Sequence, residues 1–415
     1  MSEFKHGTKP LIAALLGVAL GASPIPYNTI GLVIGPIKAE YGWSVEQIAN
    51  GITIFGVIAA LLAPLYGGFA DKVGVRPVAL WSLLAFVVAF SLFYFTPDNV
   101  YVWYGIWVIV GLVGIGSTPV TWSRGISQWF AQNRGLALGI MLLGTSLSAM
   151  FVPKIGTAVI AAWGWRAVFP SLAALTLLIA LPLGILWFRE PTPEQRPRGI
   201  TDAAGNLIGV TMAQALRSRY FWVMVVSTIL ISSAYGGAHV HMVQMVQKHG
   251  FSAMQAAGVA TIVGLGILMG RVIIGLLFDR FWAPAIAFPV LVMPAMSCYL
   301  LMGTGGDLNM LKLAGFLLGF AAGAESDVIA FLTARYFGMA HYGKIYGAIY
   351  LFFGLCSGIS PKIYGRVIDT SGSYDPILQV AMVAFVFGGA SLLLLGRYPE
   401  EYEVKPHGNP NPVPA

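Results

Sequence analysis

Gly67-Gly-Phe-Ala-Asp71-Lys-Val-Gly74-Val-Arg76 and, 208 positions later, Gly275-Leu-Leu-Phe-Asp279-Arg-Phe decide how this chain is built. Each stands at the end of a long apolar run, where a glycine and an aspartate four residues apart interrupt the hydrophobicity. The same offset relates Pro153-Lys154-Ile155 to Pro361-Lys362-Ile363, and Gly135 and Gly139 to Gly343 and Gly347. One offset holding at three separated places indicates an internal duplication, with two halves in parallel orientation.

The material between these markers is hydrophobic. Of 415 residues, 57% are apolar and only 10% are charged, with 50 Gly and 11 Trp. Mean hydropathy is +0.77. Soluble domains carry roughly a quarter charged residues. This composition excludes a soluble enzyme, a disordered chain and a disulfide scaffold, and points to an all-α polytopic membrane protein.

About 20 mostly apolar residues are needed to span a bilayer. Twelve segments qualify: 11–36, 46–69, 78–96, 101–123, 135–160, 167–188, 220–245, 254–278, 284–304, 309–333, 344–367 and 377–396. The expected organisation is a six-helix half over 1–188, a linker over 189–219, a second six-helix half over 220–399 and a disordered tail over 400–415. The first run follows Lys5 and Lys9 as a signal peptide would, but it is longer than a signal h-region and reads as a retained helix.

Charge sets the orientation. The net charge is +7, and with the N-terminus inside, sixteen of the 24 Lys and Arg fall in inner segments. Four fall in outer loops (Lys38, Arg166, Lys248, Lys312) and four within spans (Lys154, Arg271, Lys362, Arg366). The positive-inside rule then places both termini and the linker in the cytoplasm of an inner or plasma membrane. The excess of positive charge is accounted for this way, without nucleic acid.

Two motifs carry a family resemblance. Gly67-x-x-x-Asp71-x-x-Gly74-x-Arg76 resembles the loop motif between helices 2 and 3 of the major facilitator superfamily. Trp129-Phe130-Ala-Gln-Asn-Arg134-Gly-Leu136-Ala137-Leu-Gly139, continuing to Gly144, is similar to the helix 4–5 motif of the monocarboxylate transporters and bacterial oxalate/formate exchangers. The resemblance implies two pseudo-symmetric six-helix halves, with helices 1, 4, 7 and 10 lining a central cavity. It implies a substrate-binding arginine at Arg271 and a partner lysine at Lys362. It also implies gating pairs at the inner helix ends, Asp71 with Arg124 and Asp279 with Arg335, and Arg76 belongs to the same loop motif. The acidic, Gly- and Trp-rich motif that this family has before helix 1 is absent; KHGTKPLIAALL stands there.

Charges at mid-membrane cost roughly 2.5–3.5 kcal/mol each by insertion scales, so they mark a pathway or a pair. Arg271 lies eight residues from Asp279, about 12 Å along a helix and close to mid-depth. A permanent planar cation there favours an anionic cargo, or forms a structural pair with an acid on another helix. Lys362 lies nearer the outer side and could contact an anion or snorkel to the interface. Glu325 and Asp327 in helix 10 point about 200° apart and are candidate proton-coupling acids, or structural partners of Arg271 or Arg335. His239, with His241 two residues on, is a candidate proton relay or a polar cap. Candidate cavity residues are Tyr27, Asn28, Thr118, Trp122 and Tyr235; ordinary kink and packing roles are the alternative for each. Prolines beside them free backbone carbonyls, which is tolerated where a cavity is lined.

The expectation is a secondary active transporter of a small organic anion, a mono- or aromatic carboxylate, working by alternating access and proton symport. Anion exchange, export of amphipathic compounds and, more remotely, ligand sensing are the alternatives. No nucleophile–base set, metal spacing or phosphate-binding loop is visible, so no catalysis, metal or cofactor is expected. Cys298 and Cys356 are assigned to packing, and a monomer is expected.

Overall fold

The computed structural model describes residues 2–197, 200–201, 206–303 and 307–399, so the expected tail over 400–415 lies outside the described residues. Eleven helical stretches are long and apolar enough to cross a bilayer. In chain order spans 1 to 6 are Glu3–Tyr41, Glu46–Val73, Val75–Phe95, Val100–Trp129, Arg134–Trp163 and Trp165–Trp187. Spans 7 to 10 are Arg219–Lys248, Gly258–Phe278, Ala283–Gly303 and Leu308–Phe337, and span 12 is Asp375–Leu395. Span 11 is the helix Tyr342–Ser371, less apolar because it carries Lys344, Lys362, Arg366 and a run of tyrosines. The architecture is all-α and twelve-helical, in two halves; among the described residues only isolated β-bridges occur.

Spans 1 and 4 are not continuous. Span 1 is helical over Ser2–Ala19, breaks at 20–23, and resumes over Pro24–Tyr41. Span 4 breaks at Ile115–Ser117 and resumes at Pro119. In both, proline opens the second helix, where a missing N–H costs nothing. The breaks meet: the Ala22 amide donates to Ser117 Oγ at 3.1 Å. Trp122 Nε1 donates to Ser117 O at 3.1 Å, so the freed backbone groups are satisfied inside the half.

The halves touch most closely on the side that carries the linker. There span 2 meets span 11, and span 5 meets span 8, through glycines. A Cβ on Gly275 would lie 2.5 Å from Gly135 O, and one on Gly347 would lie 2.5 Å from Ala63 O. Gly67 and Gly343 approach each other in the same way. Only glycine permits backbones this close. On the far side a Cβ on Gly31, Gly35 or Gly358 would meet nothing within 4 Å. The far end of the N-terminal half is held separately, by a cluster of Trp43, Phe93, Trp103, Trp107 and Phe169.

Candidate functional site

Arg271 sits on span 8 and is only 8% exposed. Its Nη1 stands 3.6 Å from Asp327 Oδ1 on span 10, which is an ion pair but not a hydrogen bond. Nε and Nη1 of Arg271, and Oδ2 of Asp327, have no hydrogen-bond partner within the described chain. Buried polar groups are almost always satisfied, so this pair is incomplete as it stands. Gly139 of span 5 lies against it, where a Cβ would be 3.6 Å from Asp327 Oδ2. The pair therefore lies where the two halves meet.

Glu325 is placed differently, as its angular separation from Asp327 requires. Ser232 Oγ of span 7 donates to Glu325 Oε1 at 2.5 Å. Glu325 also borders a small pocket within the C-terminal half. Met224, Ser227 and Thr228 of span 7 and Val328 and Leu332 of span 10 line it toward the linker side. The two acids thus have separate surroundings: Asp327 faces the arginine, Glu325 faces span 7.

Three tyrosines lie within electrostatic reach of Arg271: Tyr235 of span 7 and Tyr346 and Tyr350 of span 11. Tyr346 is fully buried, with a hydroxyl that has no partner in the described chain. Tyr350 also interacts with Tyr27 of span 1, which is 55% exposed and edge-on to Phe55 at 5.9 Å. Tyr235 OH pairs with His239 Nδ1 at 3.1 Å, and the two rings stack. His239 is exposed. Tyr346 and Tyr350 escape sequence reasoning, because a tyrosine on an apolar helix looks like any packing residue. Their four-residue spacing, continued from Tyr342, is the signal that was available.

The remaining candidates fall elsewhere. Trp122 does not line a cavity: it is fully buried between Gly17 and Phe188, because Gly17 leaves room for its indole against span 1. Thr118 Oγ1 donates to Ile115 O at 2.7 Å and serves the span 4 break. Asn28 Nδ2 donates to Pro24 O at 2.9 Å. Lys362 is exposed, without an ion pair among the described residues. It points about 120° from Tyr350 on the same helix, away from the face that meets Arg271.

At the linker side Arg124 Nε meets Asp71 Oδ1 at 2.6 Å, and Arg124 Nη1 meets Glu190 Oε1 at 3.3 Å. Asp71 also reaches across the halves, accepting from the Gly343 and Lys344 amides at 3.0 and 2.9 Å. Asp279 does the same in reverse, accepting from Gly135 and Leu136 at 2.7 and 2.9 Å. The expected ion pair between Asp279 and Arg335 is not formed. Arg335 lies over the rings of Phe331 and Tyr398 instead, and the Asp279 carboxylate takes two backbone amides. Arg76 Nη2 donates to Ile185 O at 2.7 Å, within its own half.

The family model for the Major Facilitator Superfamily matches residues 16–361. The chain belongs to that superfamily. Superfamily relatives include the hexuronate transporter of Escherichia coli (strain K12), 22% identical over 96% of each chain. Monocarboxylate transporter 11 of Homo sapiens is 21% identical, covering 94% of this chain and 81% of the relative. The crystal structure of the fucose:proton symporter of E. coli superposes with a TM-score of 0.71 at 13% identity, over 95% of this chain and 99% of the other, and shows the shared fold. As a superfamily member the chain is a multi-pass membrane transporter rather than an enzyme.

Proposed function

We propose that this transporter carries a small organic carboxylate by alternating access, together with a proton. The observation that supports this is the Arg271 guanidinium, buried on the face where the halves meet, with Nε and Nη1 lacking hydrogen-bond partners and Tyr235, Tyr346 and Tyr350 within electrostatic reach. A carboxylate supplies acceptors that this guanidinium lacks, and charge-assisted hydrogen bonds are about twice as strong as neutral ones. The tyrosine rings offer flat apolar faces and hydroxyls to the rest of the cargo. The relatives named for hexuronate and for monocarboxylates fit the same class.

Asp327 supplies the coupling. Ionised, it holds part of the arginine's charge at 3.6 Å. Protonated, it releases that charge to an incoming carboxylate. Proton and anion thus load together, and the site neither gains nor loses net charge, which suits a low-dielectric position. Glu325, hydrogen-bonded to Ser232 and turned to span 7, is the second candidate acid.

The linker side corresponds to the cytoplasm on the charge asymmetry of the loops. With that side sealed by glycine contacts, Tyr27 and His239 mark the route in from outside. Lys362 is left at the outer surface.

Uptake of a radiolabelled carboxylate panel into proteoliposomes, with and without an imposed inward proton gradient, tests this. The expected result is uptake of at least one carboxylate, accelerated by the gradient. Transport of amphipathic cations with no carboxylate uptake would contradict it.

A further inference from the structure

Two carboxylates converge on the turn that leads into span 5. Asp279, from the opposite half, takes the amides of Gly135 and Leu136. Glu3, from the start of span 1, takes the amides just before them. Its Oε1 accepts from Ala131 N and Gln132 N at 3.0 and 3.1 Å. Its Oε2 accepts from Asn133 N and Asn133 Nδ2 at 3.1 and 3.0 Å. Four donors on one side chain is near the capacity of a carboxylate. The contact is seated by Phe4, whose ring lies 4.9 Å from that of Phe130, and by Gly7, where a Cβ would lie 2.5 Å from Phe130 Cζ.

The other half repeats the arrangement with different atoms. Asp71 takes the Gly343 and Lys344 amides, 208 positions on from Gly135 and Leu136. The amides of Met339 and Ala340, equivalent to Ala131 and Gln132, donate to the carbonyl of Ile208 at 2.7 and 3.2 Å. Val210 N donates back to Phe337 O at 2.9 Å. Gly338, at φ +73°, supplies a left-handed turn, and a Cβ on Gly209 would lie 2.8 Å from Ala340 N. In each half, the chain leading into the first helix grips the turn between the fourth and fifth.

We propose that Glu3 and the Ile208 segment are positioning devices for the linker-side gate. Each fixes the turn whose next two amides receive the opposite half's aspartate. A turn held in place presents two parallel N–H groups ready for docking. A free turn loses conformational entropy at every closure. The straps therefore favour the state that is closed on the linker side. This requires only that the halves part there during transport, and is independent of the carboxylate assignment.

Spin labels at Lys72→Cys and Arg280→Cys, exposed and symmetry-related on the linker side, report the separation of the halves in lipid nanodiscs. The background carries Cys356→Ala. Glu3→Gln keeps the shape and the Phe4 packing but turns two donors toward backbone N–H groups. It should raise the long-distance population roughly threefold or more, and lower apparent affinity from the far side by the fraction of the competent state that is lost. Glu3→Asp should recover part of the parent distribution. Gly209→Ala should shift it in the same direction as Glu3→Gln. A folded Glu3→Gln protein with the parent distance distribution would overturn the proposal. So would a Glu3→Gln protein that fails to fold, because a gate-positioning role leaves the fold intact.

Discussion

Arg271 and Asp327 face each other at 3.6 Å across spans 8 and 10, near enough to share charge and too far to share a hydrogen bond. A structural ion pair in a dry interior needs good geometry and full satisfaction to offset desolvation. This pair has neither, and although both residues belong to the C-terminal half, it stands on the face that meets span 5 of the other half. An exchangeable counter-ion accounts for that better than a fixed strut.

Asp327→Asn should uncouple transport. The amide cannot ionise, so the arginine stays available and carboxylate binding persists. Acceleration by a proton gradient should vanish, while exchange of labelled for unlabelled carboxylate continues. Initial rates at several external pH values check this; an unchanged gradient response would assign coupling elsewhere.

Glu325→Gln separates the two acids. Glu325 is hydrogen-bonded within the C-terminal half and has no ion pair among the described residues. The substitution should leave carboxylate affinity within about fivefold, because a neutral pair with Ser232 is worth only about 1 kcal/mol. Binding by isothermal titration measures it, and a tenfold loss would bring Glu325 into the substrate site.

The two symmetry-related aspartates should differ in cost. Asp71 accepts two amides and also faces Arg124, with both side chains at most 5% exposed. Asp71→Asn leaves a buried guanidinium short of its partner, a loss of about 3–5 kcal/mol. Asp279 accepts two amides without an ion pair, so Asp279→Asn should cost only about 1–3 kcal/mol. Thermal unfolding of both variants in one detergent gives the order, and equal losses would contradict the asymmetry.

Gly275→Val should force the linker side apart. Its Cβ would meet Gly135 backbone at 2.5 Å, and strain of about 1–3 kcal/mol is relieved by separating spans 5 and 8. The distance between spin labels at Lys72→Cys and Arg280→Cys should lengthen. An unchanged distance would mean that the helices repack without opening.

The twelve spans and the duplication are legible because they are local or periodic: a bilayer demands long apolar runs, and equal offsets need only counting. Arg271 and Asp327 are legible because a charge inside such a run is costly enough to need a reason. Tyr346 and Tyr350 are not, since an aromatic on an apolar helix packs as readily as it lines a site. Trp122 shows the converse, for its indole packs on Gly17 of span 1 and on Phe188, neighbours far away in the chain. Glu3 and Glu190 act across 128 and 66 residues, a distance at which helical spacing says nothing. The absence of the expected Asp279–Arg335 pair was not legible, because sequence counts charged partners and does not show that Arg335 stacks over Phe331 and Tyr398.

The central claim is that the Arg271 guanidinium holds the cargo's carboxylate. Initial uptake of the best-transported carboxylate by Arg271→Gln, with Arg271→Lys alongside and folding checked by thermal unfolding, tests it most directly. Uptake should fall at least about a hundredfold in the glutamine variant and recover only in part with lysine, which keeps the charge but not the planar fork. Uptake at the parent rate in a folded Arg271→Gln protein would contradict it.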